Sequence, residues 1–198
     1  MGTVRVLFCL LCGLVMGCGR GDSGGDLTSS RTKRRDLLRS HSSKISPRFA
    51  SVEMTKKRNG ILRIASAELG VKEVGQNDGK RVREYLSYTG IKTPAPWCAS
   101  FVSFVFGKAG FTLPRTAWSP SMFPKDRLTR EPKPADVIGI YFASLKRVGH
   151  VGLIEKMKGE LIFSIEGNTT NSGNREGNAV CRRVRHIKTV SKVADWVR

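Results

Sequence analysis

Apolar residues recur at helical spacing in three stretches of the N-terminal half of the chain. The pattern predicts one helix over about residues 59–70 and a second over residues 77–90, each ending at a glycine. The apolar positions of these two helices are Ile61, Ile64, Ala65 and Leu69, then Val82, Tyr85 and Leu86. One face of each helix is therefore expected to pack against the rest of a single domain.

The third stretch follows Pro96 and begins with Trp97 and Cys98. It ends at Gly110, a predicted helix stop, and its apolar positions are Phe101, Val102, Val105 and Ala109. This pattern predicts that Cys98 lies in the first turn of a buried helix, where free backbone N–H groups and the helix dipole favour a thiolate. A thiolate is the nucleophilic form of cysteine, but a buried structural cysteine is the alternative.

After Asp136 the pattern changes to short β-rich runs. Four of these runs are predicted strands, over residues 137–142, 148–155, 161–165 and 179–187. Lys158-Gly159 predicts a tight turn, and several connections are too short for crossover helices, so the sheet is expected to be antiparallel. A short closing helix is indicated by Val190, Val193 and Val197. Helices followed by an antiparallel sheet give the fold class α+β.

A long, proline-containing loop over residues 111–133 separates the helices from the strands. Loops of this length in compact domains tend to line binding sites. Trp118 and Phe123 are therefore candidates for one wall of a substrate groove, with packing beneath the loop as the alternative.

The first residues have the pattern of an export signal. Arg5 is the only charged residue before an apolar run over residues 6–16, which is shorter than the roughly 20 residues of a membrane-spanning helix. The run ends in Val-Met-Gly-Cys and resembles a bacterial lipobox. The resemblance implies a lipoprotein-type signal peptide over residues 1–17 and a lipid on Cys18. An ordinary secretory signal cut nearby is the alternative.

The segment after the signal is polar and basic. Residues 18–57 are rich in Ser, Gly, Arg and Lys and have no sustained apolar period, so we expect a flexible tether, with the folded domain over residues 58–198. The whole chain has 35 Lys and Arg against 16 Asp and Glu, a formal net charge of +19. In a cell envelope such a charge attracts phosphate-bearing lipids, teichoic-type polymers or lipopolysaccharide. The basic charge is the one feature that favours nucleic-acid binding, and an exported protein is not expected to meet nucleic acid.

The cysteines divide by position. Cys9 and Cys12 leave with the signal, so Cys98 and Cys181 remain in the exported domain beside the lipidated Cys18. In an oxidising compartment these two could form a disulfide, which is the main alternative to a reactive Cys98. A catalytic Cys98 predicts an unpaired Cys181 in a strand. The cysteines and three histidines have no zinc-ligand spacing, so neither a metal nor another cofactor is expected.

A candidate partner for the cysteine is His150, within the sequence Val-Gly-His-Val-Gly at the start of a strand. The glycines are expected to leave the imidazole uncrowded and to admit a substrate backbone. Glu166 ends the next strand and Asn168 follows it. In a hairpin of these two strands, His150 is expected beside Glu166 or Asn168. Together with Cys98, these residues would form a thiol-nucleophile triad.

Residues 97–102, 149–152 and 166–169 together resemble the CHAP-type and NlpC/P60-like cysteine peptidoglycan hydrolases. Residues 68–73 and 134–137 also look like that group. The resemblance covers about residues 59–188. It implies a papain-like α+β core with the cysteine-bearing helix packed on an antiparallel sheet, an extracytoplasmic location and hydrolysis of an amide bond in cell-wall peptides. The muramoyl–L-alanine bond and peptide bonds of the stem or cross-bridge remain open.

By this resemblance, Cys98 is the nucleophile, His150 the general base and then acid, Glu166 the orienting group and Asn168 a candidate fourth polar member. The backbone N–H of Cys98 is expected to contribute to an oxyanion hole. His186 is a less suitable base because it lies in a run of Arg and Lys. The expected partners are peptidoglycan and, through the anchor and tether, a membrane; the domain is expected to be a monomer. A wall-binding or scaffold lipoprotein with structural cysteines is the alternative.

Overall fold

The computed structural model describes residues 47–170 and 177–198. The predicted signal peptide over residues 1–17, the lipidation site Cys18 and the tether up to residue 46 lie outside the described residues. Within the described part, no helix is both long enough and apolar enough to cross a membrane.

In the described residues, three α-helices precede the sheet. They are α1 (Pro47–Ala67), α2 (Lys80–Tyr88) and α3 (Cys98–Lys108). Helices α2 and α3 confirm two of the predicted helices, and Cys98 is the first residue of α3. The predicted apolar positions Ile61, Ala65, Val82 and Phe101 are fully buried.

Helix α1 begins at Pro47, so the predicted start of order near Asn59 is wrong, and residues 47–57 are helical rather than part of a flexible tether. Proline suits the first turn of a helix, and neither glycine nor proline interrupts the chain from there to Gly60. Once the buried turn around Ile61 has formed, each further residue extends the helix at little cost. The outer turns are mostly exposed, which is why no apolar period marks them.

Within the described ranges, five strands form one sheet in the order β4-β3-β2-β1-β5. All neighbouring strands are antiparallel, as predicted. The strands are β1 (Val137–Phe142), β2 (Arg147–Lys158), β3 (Leu161–Thr169), β4 (Ala179–His186) and β5 (Lys192–Ala194). The predicted turn between β2 and β3 is confirmed, with Gly159 at a φ of 57°. The fold class is α+β.

The last strand, β5, stands where the sequence predicts a short helix. Val193 pairs with Ile138 at the outer edge of β1, and the backbone N–H of Ser191 donates to Gly139 at 2.8 Å. Val190 and Val193 pack on one small cluster, whereas Val197 belongs to the main core, so the three valines do not share a helical face.

Two apolar clusters use alternate positions of the same strands. The main core joins the three helices to Val137, Leu153 and Ile165 of the sheet. The smaller cluster contains the alternating residues Ile138, Ile154 and Ile162, covered by Ile187, Val190 and Val193. Because successive residues of a strand point to opposite faces, the sheet is buried on both faces in this region. This double burial fixes the strands beside the start of α3.

A buried group of charges, which we call the structural ion cluster, consists of Arg58, Asp136 and Asp195. Nη1 of Arg58 lies 2.6 Å from Oδ1 of Asp136, and Nη2 lies 2.7 Å from Oδ2 of Asp195. All three residues are at least nine-tenths buried. The cluster ties α1 to the start of β1 and to the C-terminal segment.

Candidate active site

Cys98 occupies the first position of α3, where the helix leaves backbone N–H groups without intrahelical partners. Trp97 anchors this end: it is fully buried, and its Nε1 donates to Glu73 at 3.0 Å. The carbonyl of Trp97 accepts the helical hydrogen bond from Phe101 at 2.8 Å. The sulfur is thus held at the positive end of a helix whose following turns are buried.

His150 and Glu166 are in direct contact, which confirms that the two predicted residues are neighbours. Nε2 of His150 lies 2.8 Å from Oε2 of Glu166. Glu166 is fully buried and His150 is 9% exposed. A buried carboxylate at this distance fixes the orientation of the imidazole ring and supports its protonated form. Since Nε2 faces Glu166, Nδ1 is the nitrogen left for the thiol.

Two further residues donate hydrogen bonds to Glu166. Arg185 donates from Nε to Oε1 at 2.5 Å and from Nη2 to Oε2 at 2.6 Å, and the Ser164 hydroxyl donates to Oε1 at 2.6 Å. Burial would raise the pKa of Glu166, but hydrogen bonds from Arg185 and His150 outweigh it and lower this pKa to about 2. Glu166 is therefore an ionised carboxylate over the whole physiological pH range.

Cys98 and His150 act on each other's protonation. Burial would raise the pKa of the Cys98 thiol, but its hydrogen bond to His150 and the charge of that residue lower it. Burial would lower the pKa of His150, but hydrogen bonds with Cys98 and Glu166 raise it to about 9. Both shifts favour the charged pair, a thiolate beside an imidazolium, over the neutral pair. The thiolate is the activated form of a cysteine nucleophile.

A further contact to the sulfur comes from the long loop. Oγ of Ser119 lies 3.5 Å from Sγ of Cys98, and Ser119 is 5% exposed. Hydrogen bonds to the sulfur from Ser119 and from the backbone of Val151 also lower the pKa of Cys98. Both donors favour the charged sulfur over the neutral thiol.

The glycines around His150 serve the protein's own packing, which corrects the expectation that they admit a substrate backbone. A Cβ on Gly152 would lie 2.5 Å from Cγ of Glu166, and one on Gly149 would lie 2.4 Å from the ring of Phe142. Gly152 thus makes the room in which Glu166 reaches His150. In consequence, the path of a substrate backbone is not defined by these two positions.

Asn168 has no recorded contact with His150 or Cys98, unlike the other three predicted site residues. Its backbone adopts a positive φ of 53°, and its side-chain amide lies 3.2 Å from Oδ1 of Asn77. With the amide turned so that its oxygen accepts, Oδ1 of Asn168 is 3.0 Å from the backbone N–H of Trp97. The side chain therefore secures the residue before Cys98 rather than the imidazole.

His186, the alternative base, and Cys181, the alternative disulfide partner of Cys98, have other surroundings. His186 is 3.1 Å from Glu160, and its Nδ1 accepts from the backbone N–H of Lys188 at 3.2 Å. Cys181 lies in β4, as predicted for an unpaired cysteine, and both Cys98 and Cys181 are free thiols. Burial raises the pKa of the Cys181 thiol, the opposite direction to that of Cys98.

The two aromatic candidates of the long loop have different surroundings. Phe123 is 6% exposed and belongs to the main core, so for this residue the packing alternative holds. Trp118 is 50% exposed and directly precedes Ser119, the residue that contacts the sulfur. Only Trp118 is placed to meet a ligand.

Sequence reasoning did not find Arg185, Ser164 or Ser119. Ser164 is two residues before Glu166, so strand alternation places it on the same face. Arg185 belongs to a basic run that reads as a solvated edge, and only the pairing of β3 with β4 brings it to Glu166. Nothing in the loop sequence distinguishes Ser119 from a turn residue.

Comparison with known proteins adds no relative: no protein-family model matches this chain, and the search of curated proteins finds no match. Among the described residues, no group of three or more His, Cys, Asp or Glu side chains is arranged to hold a metal ion. The site itself consists of a cysteine beside a histidine that a buried carboxylate holds in place.

Proposed function

We propose that this protein is a cysteine-dependent peptidoglycan hydrolase that cleaves an amide bond of cell-wall peptides on a papain-like core. The observation that carries the proposal is the chain of contacts from Cys98 through His150 to Glu166. Burial alone would raise the pKa of this thiol, and the largest opposing contribution comes from a histidine that a carboxylate orients.

The proposed reaction uses these three residues in turn. The Cys98 thiolate attacks the amide carbonyl, and the backbone N–H of Cys98 is placed to donate to the resulting oxyanion. Nδ1 of His150 then gives its proton to the leaving nitrogen as the C–N bond breaks, which leaves a thioester. Water attacks the thioester, Nδ1 takes a proton from that water, and the acid product leaves as the thiolate is restored.

The choice of peptidoglycan rests on the sequence rather than on the site. The segments that resemble CHAP-type and NlpC/P60-like enzymes include all the residues of the proposed triad. The export-type start implies that the domain works in the cell envelope, anchored to a membrane through Cys18. The formal charge of +19 suits a surface that works among anionic wall and lipid polymers.

The test compares the whole chain with its Cys98→Ala variant on purified peptidoglycan sacculi, with soluble fragments identified by mass spectrometry. Cys181→Ala is the matched control, because it removes the other free thiol of the described domain. The proposal predicts fragments from the wild type and from Cys181→Ala and none from Cys98→Ala. New termini on the fragments identify the bond.

Release by Cys98→Ala at the wild-type rate would overturn the role of the thiol. If the wild type releases nothing while all three proteins pellet with the sacculi, the hydrolase proposal fails and a wall-binding scaffold takes its place.

A further inference from the structure

An arginine is stacked on an exposed tryptophan beside the candidate active site. The guanidinium carbon of Arg147 lies 4.0 Å from the centroid of the Trp118 ring. Trp118 directly precedes Ser119, whose hydroxyl contacts the Cys98 sulfur. Arg147 is the first residue of β2, the strand that also carries His150. The stack therefore links the loop that contacts the Cys98 sulfur to the strand that carries His150.

The segment that carries Trp118 is fastened to the helix of the nucleophile. The hydroxyl of Ser103, in α3, donates to the carbonyl of Thr116 at 2.9 Å and accepts from the backbone N–H of Thr116 at 3.0 Å. The Thr116 hydroxyl in turn accepts from the backbone N–H of Trp118 at 3.0 Å. The ring is thus held in a fixed place while half of its surface remains exposed.

Arg147 has no acidic partner among the described residues. Its recorded contacts are the Trp118 ring and a hydrogen bond from Nη1 to the carbonyl of Val148 at 3.0 Å. By contrast, two arginines of β4 are paired with carboxylates, Arg185 with Glu166 and Arg182 with Glu155. Stacking uses the face of the guanidinium and leaves its N–H edge available for a planar, bidentate acceptor.

The spacing of Arg147 and His150 along β2 determines how long a ligand must be to reach both residues. Arg147 is three positions from His150 in the sequence, but a register shift between them places the pair opposite Phe142 and Ile140, two positions apart on β1. This spacing corresponds to about 7 Å. An extended peptide covers that distance with about two residues. An anionic group on a bound peptide could therefore reach the guanidinium while an amide bond of the same peptide lies at the sulfur.

We propose that Arg147 and Trp118 form a subsite that binds a carboxylate of the substrate peptide, within about two residues of the bond that is cleaved. This inference rests on the proposed function, because it names a feature of that site's substrate. It assigns selectivity for peptides with a free carboxylate over peptides in which the same group is amidated.

The test uses one batch of sacculi, stripped of phosphate-bearing polymers and divided in two, with the carboxylates of one half converted to amides by carbodiimide and methylamine. Fragment release is measured for the wild type, Arg147→Gln and Arg115→Gln. Arg115 is the matched control, since it is also stacked on an aromatic ring, that of Tyr88, at 4.8 Å. Arg147→Lys retains the charge without the planar fork.

We expect the wild type and Arg115→Gln to act about tenfold faster on the free carboxylates, as one lost charge-assisted hydrogen bond implies. Arg147→Gln should act on both halves of the sacculi at the same rate, which should be lower than the wild-type rate on free carboxylates. Arg147→Lys should retain only part of the preference for free carboxylates. Unchanged preference in Arg147→Gln would overturn the subsite. If Arg147→Gln and Arg115→Gln lost this preference equally, the subsite would also be overturned, because the loss would reflect the overall charge of the protein.

A second measurement separates this inference from the proposed function. Pelleting of the Cys98→Ala variant with the two halves, with and without Arg147→Gln, reports binding in the absence of cleavage. If no protein releases fragments, the hydrolase proposal fails, and the subsite stands only if Arg147→Gln removes a preference for the free carboxylates in pelleting. If binding shows no such preference, the subsite falls as well.

Discussion

Two arginines of this domain bind buried carboxylates, but the surroundings of the two ion pairs differ. In the structural ion cluster, Arg58 is shared between Asp136 and Asp195, and the other recorded hydrogen bonds of these three side chains involve backbone groups. At the candidate active site, Arg185 binds one carboxylate, Glu166, which also contacts His150.

The carboxylate pKa values shift in opposite directions in the structural ion cluster and in the candidate active site. Burial raises the pKa of Asp136, and the hydrogen bond from Arg58 offsets it only in part while Asp195 adds like charge. At Glu166 the hydrogen bonds outweigh burial and the pKa falls to about 2. A buried ion pair by itself is therefore no sign of function. What sets the second place apart is a histidine with a raised pKa that faces a thiol with a lowered one.

The largest expected contrast is in catalysis. His150→Ala should lower the rate of fragment release by about a thousandfold, because it removes both the proton donor and the cation that stabilises the thiolate. Glu166 keeps Arg185 and Ser164 as partners, so the variant should remain folded. Release is measured on sacculi and folding by thermal unfolding. A rate within tenfold of the wild type would remove His150 from the mechanism.

The converse contrast is in stability. Arg58→Met leaves Asp136 and Asp195 buried without a counter-ion and should lower the free energy of unfolding by about 3–5 kcal/mol. Urea denaturation measures the loss. The rate per folded molecule should stay unchanged, because the structural ion cluster has no recorded contact with the candidate triad. Adding Asp136→Asn and Asp195→Asn to Arg58→Met removes the stranded charges and should restore part of the stability.

The pH dependence of stability should have opposite signs at the two carboxylates. The lowered pKa of Glu166 contributes stability that is present above its ordinary pKa of 4.5 and is lost as the pH falls toward about 2, by roughly 3 kcal/mol in all. The raised pKa of Asp136 contributes stability that is present below its ordinary value and is lost as the pH rises through the raised one.

Urea denaturation as a function of pH separates these contributions. Glu166→Gln should flatten the decrease in stability between pH 4.5 and 2, whereas Asp136→Asn should steepen the net decrease over the acid range, since it removes the opposing contribution. Equal slopes in both variants would contradict the assigned directions.

A smaller effect is expected from Arg185, which acts as a positioning residue through Glu166. Arg185→Gln should lower the rate about tenfold and leave KM nearly unchanged, because the imidazole loses its fixed orientation. The acid limb of the pH–rate profile should also move to higher pH, since Glu166 becomes easier to protonate. Arg182→Gln is the control: Arg182 is an exposed residue of the same strand that is paired with Glu155, and its substitution should change neither quantity. An unmoved acid limb in Arg185→Gln would reduce Arg185 to a structural role.

The sequence predicted the parts of the molecule that local patterns encode. Helical spacing located α2 and α3 and placed Cys98 at the start of α3, and strand alternation located β1 to β4. The contact of His150 with Glu166 followed from the short turn at Gly159, because a tight hairpin fixes which strands pair.

The remaining features depend on tertiary contacts that no local pattern reports. Arg185 reaches Glu166 through the pairing of β4 with β3, and Ser119 reaches Cys98 from a loop. The three valines near the C-terminus have helical spacing, but the unpaired edge of β1 draws the segment into β5. Helix α1 extends to Pro47 without an apolar stripe because a helix already nucleated by its buried turns continues into solvent.

The central claim is that Cys98 is a thiolate beside an imidazolium, and alkylation measures this directly. The whole chain is treated with iodoacetamide across pH 4 to 11, and each cysteine is followed separately by peptide mass spectrometry. Cys181 is the internal reference, since its pKa moves the other way. We predict that Cys98 reacts with a midpoint well below that of Cys181, and that His150→Ala moves the Cys98 midpoint up. A Cys98 that titrates with or above Cys181, or that stays unreactive at every pH, would contradict the account.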